Sequence, residues 1–242
     1  AFAIFDENNN KLILGRDRTG ICPLFYTIKD NELFFASEIK ALFQIPCIKR
    51  EFSVQNIYDA ISYWTVIPPD TVFKDIYQVS PGELLTWKNN NLNKRNYWQL
   101  SFSDEYSNKS FSYLKDKLAN TLELSVKRHL DADVPVGLYL SGGIDSSILA
   151  VLASRIHGKD LNTFSIGFED KNYDESYYQQ MLSRELGVRH HHFDFNYKDI
   201  AEYFPEVVEH AETILFRCAP VPLFCLSKKV NEFGYKTVMS GE

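Results

Sequence analysis

Seven consecutive residues, Ser141 to Ser147 (SGGIDSS), bring together two glycines, three hydroxyl groups and one carboxylate. They lie between an apolar run at 134–140 (VPVGLYL), which predicts a strand, and an apolar pattern that predicts a helix at 146–157. Glycines allow successive backbone N–H groups to converge on one anion, and the start of a helix adds unpaired donors and a partial positive charge. This combination predicts a phosphate-binding loop.

The sequence excludes two common types of phosphate-binding loop. Neither the GxxxxGK[ST] pattern of a Walker A loop nor the GxGxxG pattern of a dinucleotide-binding turn occurs in the chain. The pattern SGGxDSS instead resembles the pyrophosphate loop of ATP pyrophosphatases. These enzymes cleave ATP between the α and β phosphates and activate a carboxyl or carbonyl group as an adenylate. The competing interpretation is a Ser/Gly turn in which Asp145 or Ser146 only caps the following helix.

Composition and charge limit the class of protein. The 242 residues are enough for two domains of ordinary size, and 45% hydrophobic with 24% charged residues is typical of a soluble protein. The net charge of −6 and the lack of a lysine- or arginine-rich block argue against a nucleic-acid partner. No apolar run approaches the length needed to cross a membrane, so no membrane partner is expected.

The cysteines indicate the cellular compartment, and the two ends of the sequence indicate whether it is part of a longer protein. Cys22, Cys47, Cys218 and Cys225 show no CxxC spacing, and no secretory signal precedes them, so we expect reduced thiols in a cytoplasmic protein. The sequence begins within a strand pattern, without a methionine, and it ends directly after another strand pattern. We therefore expect an internal piece of a longer protein.

The first hundred residues are rich in strand patterns. Apolar segments separated by turn residues such as Asn8–Asn10 predict strands at 2–5, 11–16, 23–28, 32–36 and 83–87. One helix is predicted from Ser37 and another from Ser53. The polar, aperiodic residues 101–110 are the predicted domain junction.

The remainder of the chain alternates between helix and strand patterns. A stripe of apolar residues spaced four apart from Leu114 to Leu130 predicts an amphipathic helix. The elements that follow are predicted to be strand 134–140, helix 146–157, strand 161–168, helix 174–186, strand 190–195, helices within 197–212 and 221–233, and strand 235–239. Such alternation predicts a mostly parallel, doubly wound sheet with ligands at the carboxyl ends of its strands. The 141–147 loop, Gly167 and Ser240–Glu242 all lie at the carboxyl ends of predicted strands, so three loops at one sheet edge could surround one nucleotide.

Several segments, in this order and spacing, resemble the glutamine-hydrolysing asparagine synthetase family over essentially the whole chain. In the second half they are the SGGIDSS loop, Thr163–Gly167 (TFSIG) and Val238–Glu242 (VMSGE). In the first half they are 15–20 (GRDRTG), 23–26 (PLFY), 36–42 (ASEIKAL) and Pro81-Gly82. These first-half segments resemble class II glutamine amidotransferase domains.

The resemblance implies two domains of different architecture. Residues 1–105 would be the C-terminal part of a class II glutamine amidotransferase domain, a partial N-terminal-nucleophile-type glutaminase with stacked β-sheets between helices. Residues 106–242 would be the N-terminal part of an ATP-pyrophosphatase-type synthetase domain with a doubly wound parallel sheet. The expected fold class is therefore α+β followed by α/β.

The activity implied by the resemblance is ATP-dependent synthesis of asparagine from aspartate, with glutamine or ammonia as the nitrogen donor. ATP and Mg²⁺ are the implied cofactors, aspartate and glutamine are the small-molecule substrates, and a homodimer is compatible with the family. The first domain would release ammonia from glutamine, and an internal tunnel would deliver it. The second would join the side-chain carboxylate of aspartate to AMP with release of pyrophosphate, and ammonia would then displace AMP.

The resemblance also assigns candidate site residues. Contacts to ATP are expected, mostly through backbone, at Leu140, Ser141, Gly142, Gly143, Asp145, Ser146, Ser147, Ile166, Ser240 and Gly241. The loop amides and hydroxyls would stabilise pyrophosphate as its charge develops, and Asp145 would orient the loop or help hold Mg²⁺. Glu242 matches the family glutamate implicated in forming the β-aspartyl-AMP intermediate and in taking a proton from ammonia, which suits a carboxylate. The side chains of Leu140 and Ile166 are equally well explained as core.

Other polar residues have competing interpretations. Arg217 lies where the family has an arginine near its acyl-adenylate pocket, but its spacing from the preceding glutamate differs from some members, and a surface position explains it as well. The run His190–His192 suggests a metal site. However, strand alternation places His191 on the opposite face and no acidic or cysteine set accompanies it, so no metal ligands are predicted. Arg16 and Asp17 are predicted to brace a hairpin through an ion pair.

The family's nucleophilic cysteine occupies the mature N-terminus, and none of the four cysteines of this chain is terminal. The family's later Mg²⁺-binding aspartate and a later lysine are also not among these residues. We therefore expect the 242 residues alone to hydrolyse no glutamine and to make little or no asparagine. Three alternatives stay open: a β-lactam synthetase-like enzyme, an amidotransferase acting on another carboxylate, and a non-catalytic nucleotide-binding module.

Overall fold

A computed structural model describes residues 1–241, and the contacts within the chain divide it into two compact units. The first unit comprises Ala1–Phe102 and Val208–Phe216, and the second comprises Ser103–Val207 and the residues from Arg217 onward. The chain therefore returns to the first unit for one short segment late in the sequence. The predicted junction at 101–110 spans the first of these breaks, whereas the division into domains at residue 105 stays a prediction. Among residues 1–241, no helix is long and apolar enough to cross a membrane.

Two antiparallel sheets make up most of the first unit. Their strand orders are β1-β2-β6-β7 and β4-β3-β5. Strands that are consecutive in the chain form hairpins, with Phe2 opposite Gly15 in one sheet and Phe25 opposite Ala36 in the other. The strands are β1 (Phe2–Asp6), β2 (Lys11–Gly15), β3 (Phe25–Lys29), β4 (Glu32–Ala36), β5 (Tyr77–Gln78), β6 (Glu83–Lys88) and β7 (Asn91–Asn96).

The helices of the first unit are α1 (Ile39–Leu42) and α2 (Val54–Tyr63). The helix predicted from Ser37 begins two residues later and is a single turn. Ser53 begins α2 as predicted, because its hydroxyl accepts a hydrogen bond from the amide of Asn56 at 3.3 Å. Helix α2 ends at Tyr63, because the next residue, Trp64, has a left-handed conformation (φ 59°).

The predicted strands of the first unit agree with the structure to within two residues at each end, but β5 and β7 were not predicted. Strand β7 has the polar sequence NLNKRN, which shows no apolar alternation. It forms because Asn89 and Asn90, both with positive φ, make a tight turn that folds β7 against β6. Leu14, Tyr26 and Leu85, from β2, β3 and β6, are buried in one cluster, so the two sheets stack as expected.

A parallel sheet with the strand order β10-β9-β8-β11 forms the centre of the second unit. The helices and strands from residue 111 onward are α3 (Phe111–Leu130), β8 (Val136–Tyr139), α4 (Ile144–His157), β9 (Asn162–Phe168), α5 (Ser176–Leu186), β10 (Arg189–Phe195), α6 (Tyr197–Ala211), α7 (Pro220–Glu232) and β11 (Thr237–Met239). All belong to the second unit except the last turn of α6, from Val208 on. The predicted elements all occur, with ends shifted by no more than two residues for most of them.

Helices cover both faces of this sheet. Leu138 on β8 packs in a cluster with Val126 of α3 and Ala150 of α4. The next residue, Tyr139, points to the other face and packs against a cluster that contains Leu226 of α7. The doubly wound parallel sheet predicted from the sequence is confirmed.

Arg16 is a buried polar residue that holds the loops of the first unit together. Its Nε donates to the carbonyl of Cys22 at 3.1 Å, and its Nη2 donates to the carbonyl of Gly20 at 2.8 Å. Its Nη1 donates to the Gln78 side chain at 3.0 Å and to the carbonyl of Val79 at 2.8 Å. One guanidinium thus connects the turn after β2 with the segment that precedes β6.

Asp17 braces the same turn without pairing with Arg16. Its carboxylate accepts hydrogen bonds from the amides of Ile21 and Cys22 at 3.0 and 3.3 Å, and from the hydroxyl of Thr19. Desolvation raises the pKa of Asp17, but these donors outweigh it and lower the pKa from 3.8 to about 2. The predicted ion pair is therefore wrong: Arg16 finds its partners in backbone carbonyls and the Gln78 side chain, and Asp17 finds its partners in backbone amides and the Thr19 hydroxyl.

Arg16→Met is expected to destabilise the first unit by about 2–4 kcal/mol, because the buried carbonyl of Val79 and two partly buried carbonyls lose a charged donor. The three tryptophans, Trp64, Trp87 and Trp98, all lie in this unit, so urea unfolding followed by tryptophan fluorescence measures its stability. Arg18→Met removes an exposed guanidinium from the same turn and is the matched control, expected to change stability by less than about 0.5 kcal/mol. Equal losses in the two variants would contradict the role given to Arg16.

Candidate functional site

The backbone of the Ser141–Ser147 loop takes a shape that its glycines permit. The chain leaves β8, turns at Gly142 with φ +89°, and enters α4 through Gly143, which is the N-cap. A Cβ at Gly142 would lie 3.2 Å from the Cβ of Glu175 and 3.3 Å from its carbonyl oxygen. Position 142 therefore favours glycine by conformation and by space.

Serine hydroxyls hold the loop together. The Ser146 hydroxyl accepts a hydrogen bond from the Ser141 amide at 3.2 Å, contacts the Ser141 hydroxyl at 2.9 Å and donates to the carbonyl of Gly143 at 3.2 Å. The Ser147 hydroxyl donates to the same carbonyl at 2.7 Å, and the Gly143 amide donates to the Ser141 hydroxyl at 3.2 Å. Pyrophosphate binding by the Ser146 and Ser147 hydroxyls stays a prediction, and it would require them to exchange these partners.

The start of α4 also carries backbone amides that are free to donate hydrogen bonds. Those of Gly142, Ile144 and Asp145 have no hydrogen-bond partner within residues 1–241. They coincide with the positive end of the helix dipole, where an anion is favoured. The Asp145 side chain is exposed and makes no hydrogen bond or ion pair in the described part of the chain, so it does not orient the loop in this conformation.

The carboxyl end of β11 lies against the same loop. A Cβ at Gly241 would lie 2.9 Å from the amide nitrogen of Ser146 and 3.3 Å from the Cβ of Asp145. Ser240–Gly241 therefore follows β11 into a place where a side chain at 241 has no room. Glu242, the candidate catalytic residue, lies outside the described residues.

Strands β8 and β9 separate at this edge of the sheet. The Leu140 amide donates to the carbonyl of Phe164 at 2.9 Å, whereas the next amide, that of Ser141, turns into the loop. The Leu140 side chain is 1% exposed and belongs to the core, and Ile166 packs against the cluster that contains Leu226. Both side chains thus take part in packing, and both residues also line the cavity described next.

A cavity of about 150 Å³ lies where the two strands separate. Gln179 of α5 connects their ends, because its Nε2 donates to the carbonyls of Ser141 at 3.3 Å and Ile166 at 3.0 Å. A separation of this kind at the carboxyl ends of parallel strands is a common place for ligands. The cavity is lined by these residues together with Tyr139, Leu140, Phe164, Ser165, Phe168, Tyr173, Glu175, Leu223 and Leu226.

A larger cavity of about 680 Å³ lies beyond the carboxyl ends of β9 and β10. Arg217 lines this cavity, as do Asp170 and Tyr197, whose side chains are hydrogen-bonded at 3.2 Å. Phe168 and Tyr173 line both cavities, so the two adjoin. Arg217 does not line the smaller cavity, which lies beside the Ser141–Ser147 loop, called the phosphate-type loop from here on.

The three consecutive histidines divide between the two faces of β10. Ser165 contacts both His190, at 3.1 Å, and His192, at 3.4 Å, on one face. His191 lies on the other face, where its ring stacks on Phe164 with 4.9 Å between centroids. Within residues 1–241, no group of three or more His, Cys, Asp or Glu side chains has the arrangement needed to hold a metal ion.

Models of two protein families match the chain. A glutamine amidotransferase domain model matches residues 1–98, and an asparagine synthase model matches residues 117–242, which is slightly more than half of the chain. The chain belongs to the asparagine synthase family. The resemblance inferred from the sequence motifs is confirmed by both matches.

Curated relatives of this asparagine synthase family member carry two kinds of name. Asparagine synthetase [glutamine-hydrolyzing] 3 of Bacillus subtilis is 33% identical, over 86% of this chain and 36% of the relative. Asparagine synthetase B [glutamine-hydrolyzing] of Escherichia coli is 29% identical, over 100% of this chain and 41% of the relative. Amidase chyE of Penicillium rubens is 32% identical, over 100% of this chain and 38% of the relative.

The similarity covers only part of each relative. The chain spans about two fifths of the length of the curated relatives that it matches. Among solved structures, the NH3-dependent NAD synthetase of Campylobacter jejuni matches 54% of this chain and 55% of its own, at 17% identity and a TM-score of 0.34. A similarity at that level supports no conclusion about function.

Gln179 and Glu175 lie at this site but were not predicted from the sequence. Gln179 precedes the core residues Leu182 and Leu186 by three and seven positions, so a polar residue on the apolar stripe of α5 was an available signal. Glu175 offered no such signal. It approaches Gly142 only because folding brings the start of α5 beside the loop.

The imidazole of His190 is expected to stay neutral until the pH falls to about 4. Burial is the largest cause of the lowering of its pKa from 6.5 to about 4, and His192 and His191 add to it. The folded state binds a proton at His190 more weakly than the unfolded state, so the neutral ring contributes to the free energy of unfolding. This contribution is complete above the unfolded pKa of 6.5 and is lost as the pH falls from 6.5 towards 4.

NMR titration of the imidazole resonances, with His190→Gln to assign them, measures that pKa. A His190 resonance that titrates near the ordinary histidine value would contradict the burial of this ring between β9 and β10.

Proposed function

We propose that the full-length protein is a glutamine-dependent ligase that uses ATP to convert aspartate into asparagine. The first domain, proposed as residues 1–105 of this chain, would belong to the part that releases ammonia from glutamine. The second, proposed as residues 106–242, would belong to the part that binds ATP and activates aspartate. The asparagine synthetase names of the relatives from Bacillus subtilis and Escherichia coli support this proposal.

The observation that carries the proposal is the geometry of the Ser141–Ser147 loop. It presents the amides of Gly142, Ile144 and Asp145 at the positive end of α4, without partners among residues 1–241. Gly241 from the end of β11 packs against the same helix start. Backbone donors gathered at a helix N-terminus suit a phosphate chain better than a neutral ligand.

Activation of aspartate would proceed by attack of its side-chain carboxylate oxygen on the α-phosphorus of ATP. The bond to the bridging oxygen breaks, pyrophosphate leaves with its electrons, and β-aspartyl-AMP forms. The amides at the start of α4 would stabilise the charge that develops on the departing pyrophosphate. The exposed carboxylate of Asp145 would supply a protein ligand for Mg²⁺, with phosphate oxygens supplying others, and the ion would neutralise phosphate charge.

Formation of the amide would follow by attack of ammonia on the activated carbonyl carbon. AMP leaves, and ammonia gives up a proton to a base. By the family resemblance this base would be Glu242, which lies outside the described residues, so its role rests on the sequence. The larger cavity with Arg217 is a candidate place for part of the acyl-adenylate, because a guanidinium pairs well with phosphate or carboxylate groups.

An amidotransferase that acts on a different carboxylate is the second candidate. The relative from Penicillium rubens, which is named an amidase, is about as similar to this chain as the asparagine synthetases are, and this observation supports the second candidate. A β-lactam synthetase-like enzyme would share the adenylation step and close a ring. A non-catalytic module would keep nucleotide binding without pyrophosphate release.

Gly142→Ala is expected to lower aspartate-dependent pyrophosphate release from Mg-ATP by about 10²-fold or more, in full-length protein supplied with ammonia. The reason is that a Cβ at position 142, where φ is +89°, would meet Glu175 and displace the amides that face the phosphates. Gly187→Ala is the matched control, because Gly187 also has positive φ but nothing lies within 4 Å of an added Cβ. This control should keep most of the activity.

The products separate the candidates. Pyrophosphate and AMP formed only in the presence of aspartate support asparagine synthesis. Cleavage that requires another carboxylic acid moves the assignment to the second candidate. Nucleotide binding without cleavage supports the non-catalytic module, and full activity of Gly142→Ala would contradict the role of the loop.

A further inference from the structure

Gln179 is a polar side chain buried beside the smaller cavity. It is 2% exposed and extends from α5 to the separated ends of β8 and β9. Its Nε2 donates to the carbonyls of Ser141 and Ile166 at 3.3 and 3.0 Å, and all three residues line the 150 Å³ cavity. Its position therefore relates the phosphate-type loop to the neighbouring strand.

The two contacts of Nε2 determine which way round the amide lies. Rotation of the amide by 180° would place Oε1 against two carbonyl oxygens, which are acceptors like itself, and would leave both carbonyls without this donor. The oxygen of Gln179 must therefore point away from them. In the described part of the chain, this buried Oε1 has no hydrogen-bond partner.

A buried acceptor without a donor is destabilising. Since residues 1–241 offer no donor to Oε1, the position calls for one from a bound molecule. Ser141 and Ile166 cannot fill this role, because both present carbonyl oxygens to Gln179. The partner must bring an N–H or O–H group into the space between β8 and β9.

The cavity itself favours a flat ring as the molecule that brings this donor. Its walls include the aromatic residues Tyr139, Phe164, Phe168 and Tyr173. A cavity of about 150 Å³ accepts a flat ring the size of benzene, so it would take the six-membered ring of adenine, which is the ring that carries the exocyclic amino group. Adenine is flat and carries an exocyclic amino group, and Ser141 belongs both to the cavity and to the loop. A base in the cavity and phosphates at the loop would thus fit one nucleotide.

We infer that Gln179 is a specificity-determining residue whose Oε1 accepts a hydrogen bond from the exocyclic amino group of a bound adenine. The inference rests on the proposed function in one respect, that a nucleotide binds at the loop, and deepens it by assigning selection of the base to a side chain. The Nε2 of the same amide keeps the loop and the end of β9 at a fixed separation. Loss of Gln179 should therefore change base preference as well as affinity.

Base preference is the property that separates this role from a structural one. A buried water at Oε1 can turn to donate or accept, so it does not distinguish adenine from hypoxanthine, which carries a carbonyl oxygen where adenine carries the amino group. A residue that only connects two loops would weaken all nucleotides alike when replaced. The ratio of the dissociation constants for Mg-ITP and Mg-ATP reports on the base contact without requiring aspartate chemistry.

Calorimetric titration of the full-length protein with Mg-ATP and with Mg-ITP measures this ratio. The wild-type protein is expected to bind Mg-ATP at least about tenfold more tightly than Mg-ITP, as for one hydrogen bond at a buried acceptor. In Gln179→Met, which keeps the chain length and removes the amide, the two nucleotides should bind within about twofold of each other. Gln180→Met, at the exposed neighbouring position of α5, is the matched control and should keep the wild-type ratio.

A ratio that is unchanged in Gln179→Met, or a wild-type ratio near one, would overturn the inference. If Gln179→Met does not fold, the wild-type protein is titrated with the Mg complex of purine riboside triphosphate, which lacks the amino group. Binding as tight as that of Mg-ATP would then overturn it, and binding at least about tenfold weaker would support it. Failure of the proposed function looks different: adenine is preferred, but no pyrophosphate is released with aspartate. Absence of any nucleotide binding would overturn both.

Discussion

Parallel pairing of β8 with a strand on each side is the constraint on which the second unit depends. Gly137 pairs with Val238 of β11, and Leu138 pairs with Thr163 of β9. The close approach needs a glycine, because a Cβ at 137 would lie 2.8 Å from the ring of Phe164. Since the three strands run in the same direction, their carboxyl ends meet at one edge. The phosphate-type loop, the smaller cavity and the end of β11 all lie at this edge.

Local patterns in the sequence were sufficient to predict this edge. The apolar run before Ser141, the two glycines and the helix pattern after them specify a strand, a turn and a helix start within a few residues. Alternation of strands and helices then predicts a mostly parallel sheet, in which the loops after successive strands lie at the same edge. The antiparallel first unit was predicted less completely, because β7 has a polar sequence and depends on the turn at Asn89-Asn90.

Contacts between residues distant in sequence account for what could not be predicted. The Glu212 carboxylate accepts hydrogen bonds from the amides of Ile39 at 2.6 Å and Lys40 at 2.5 Å, and so helps to join the segment Val208–Phe216 to the first unit. No local pattern indicates this arrangement, because Glu212 meets these two amides only after the chain has folded.

Transfer of an oxygen atom from aspartate to AMP tests the central claim most directly. The full-length protein would be supplied with Mg-ATP, ammonia and aspartate labelled with ¹⁸O in both oxygens of its side-chain carboxylate. If the carboxylate attacks the α-phosphorus, the AMP that is released carries one labelled oxygen, which mass spectrometry detects. The account predicts this labelled AMP together with pyrophosphate. Unlabelled AMP, or ADP and phosphate in place of AMP and pyrophosphate, would contradict it.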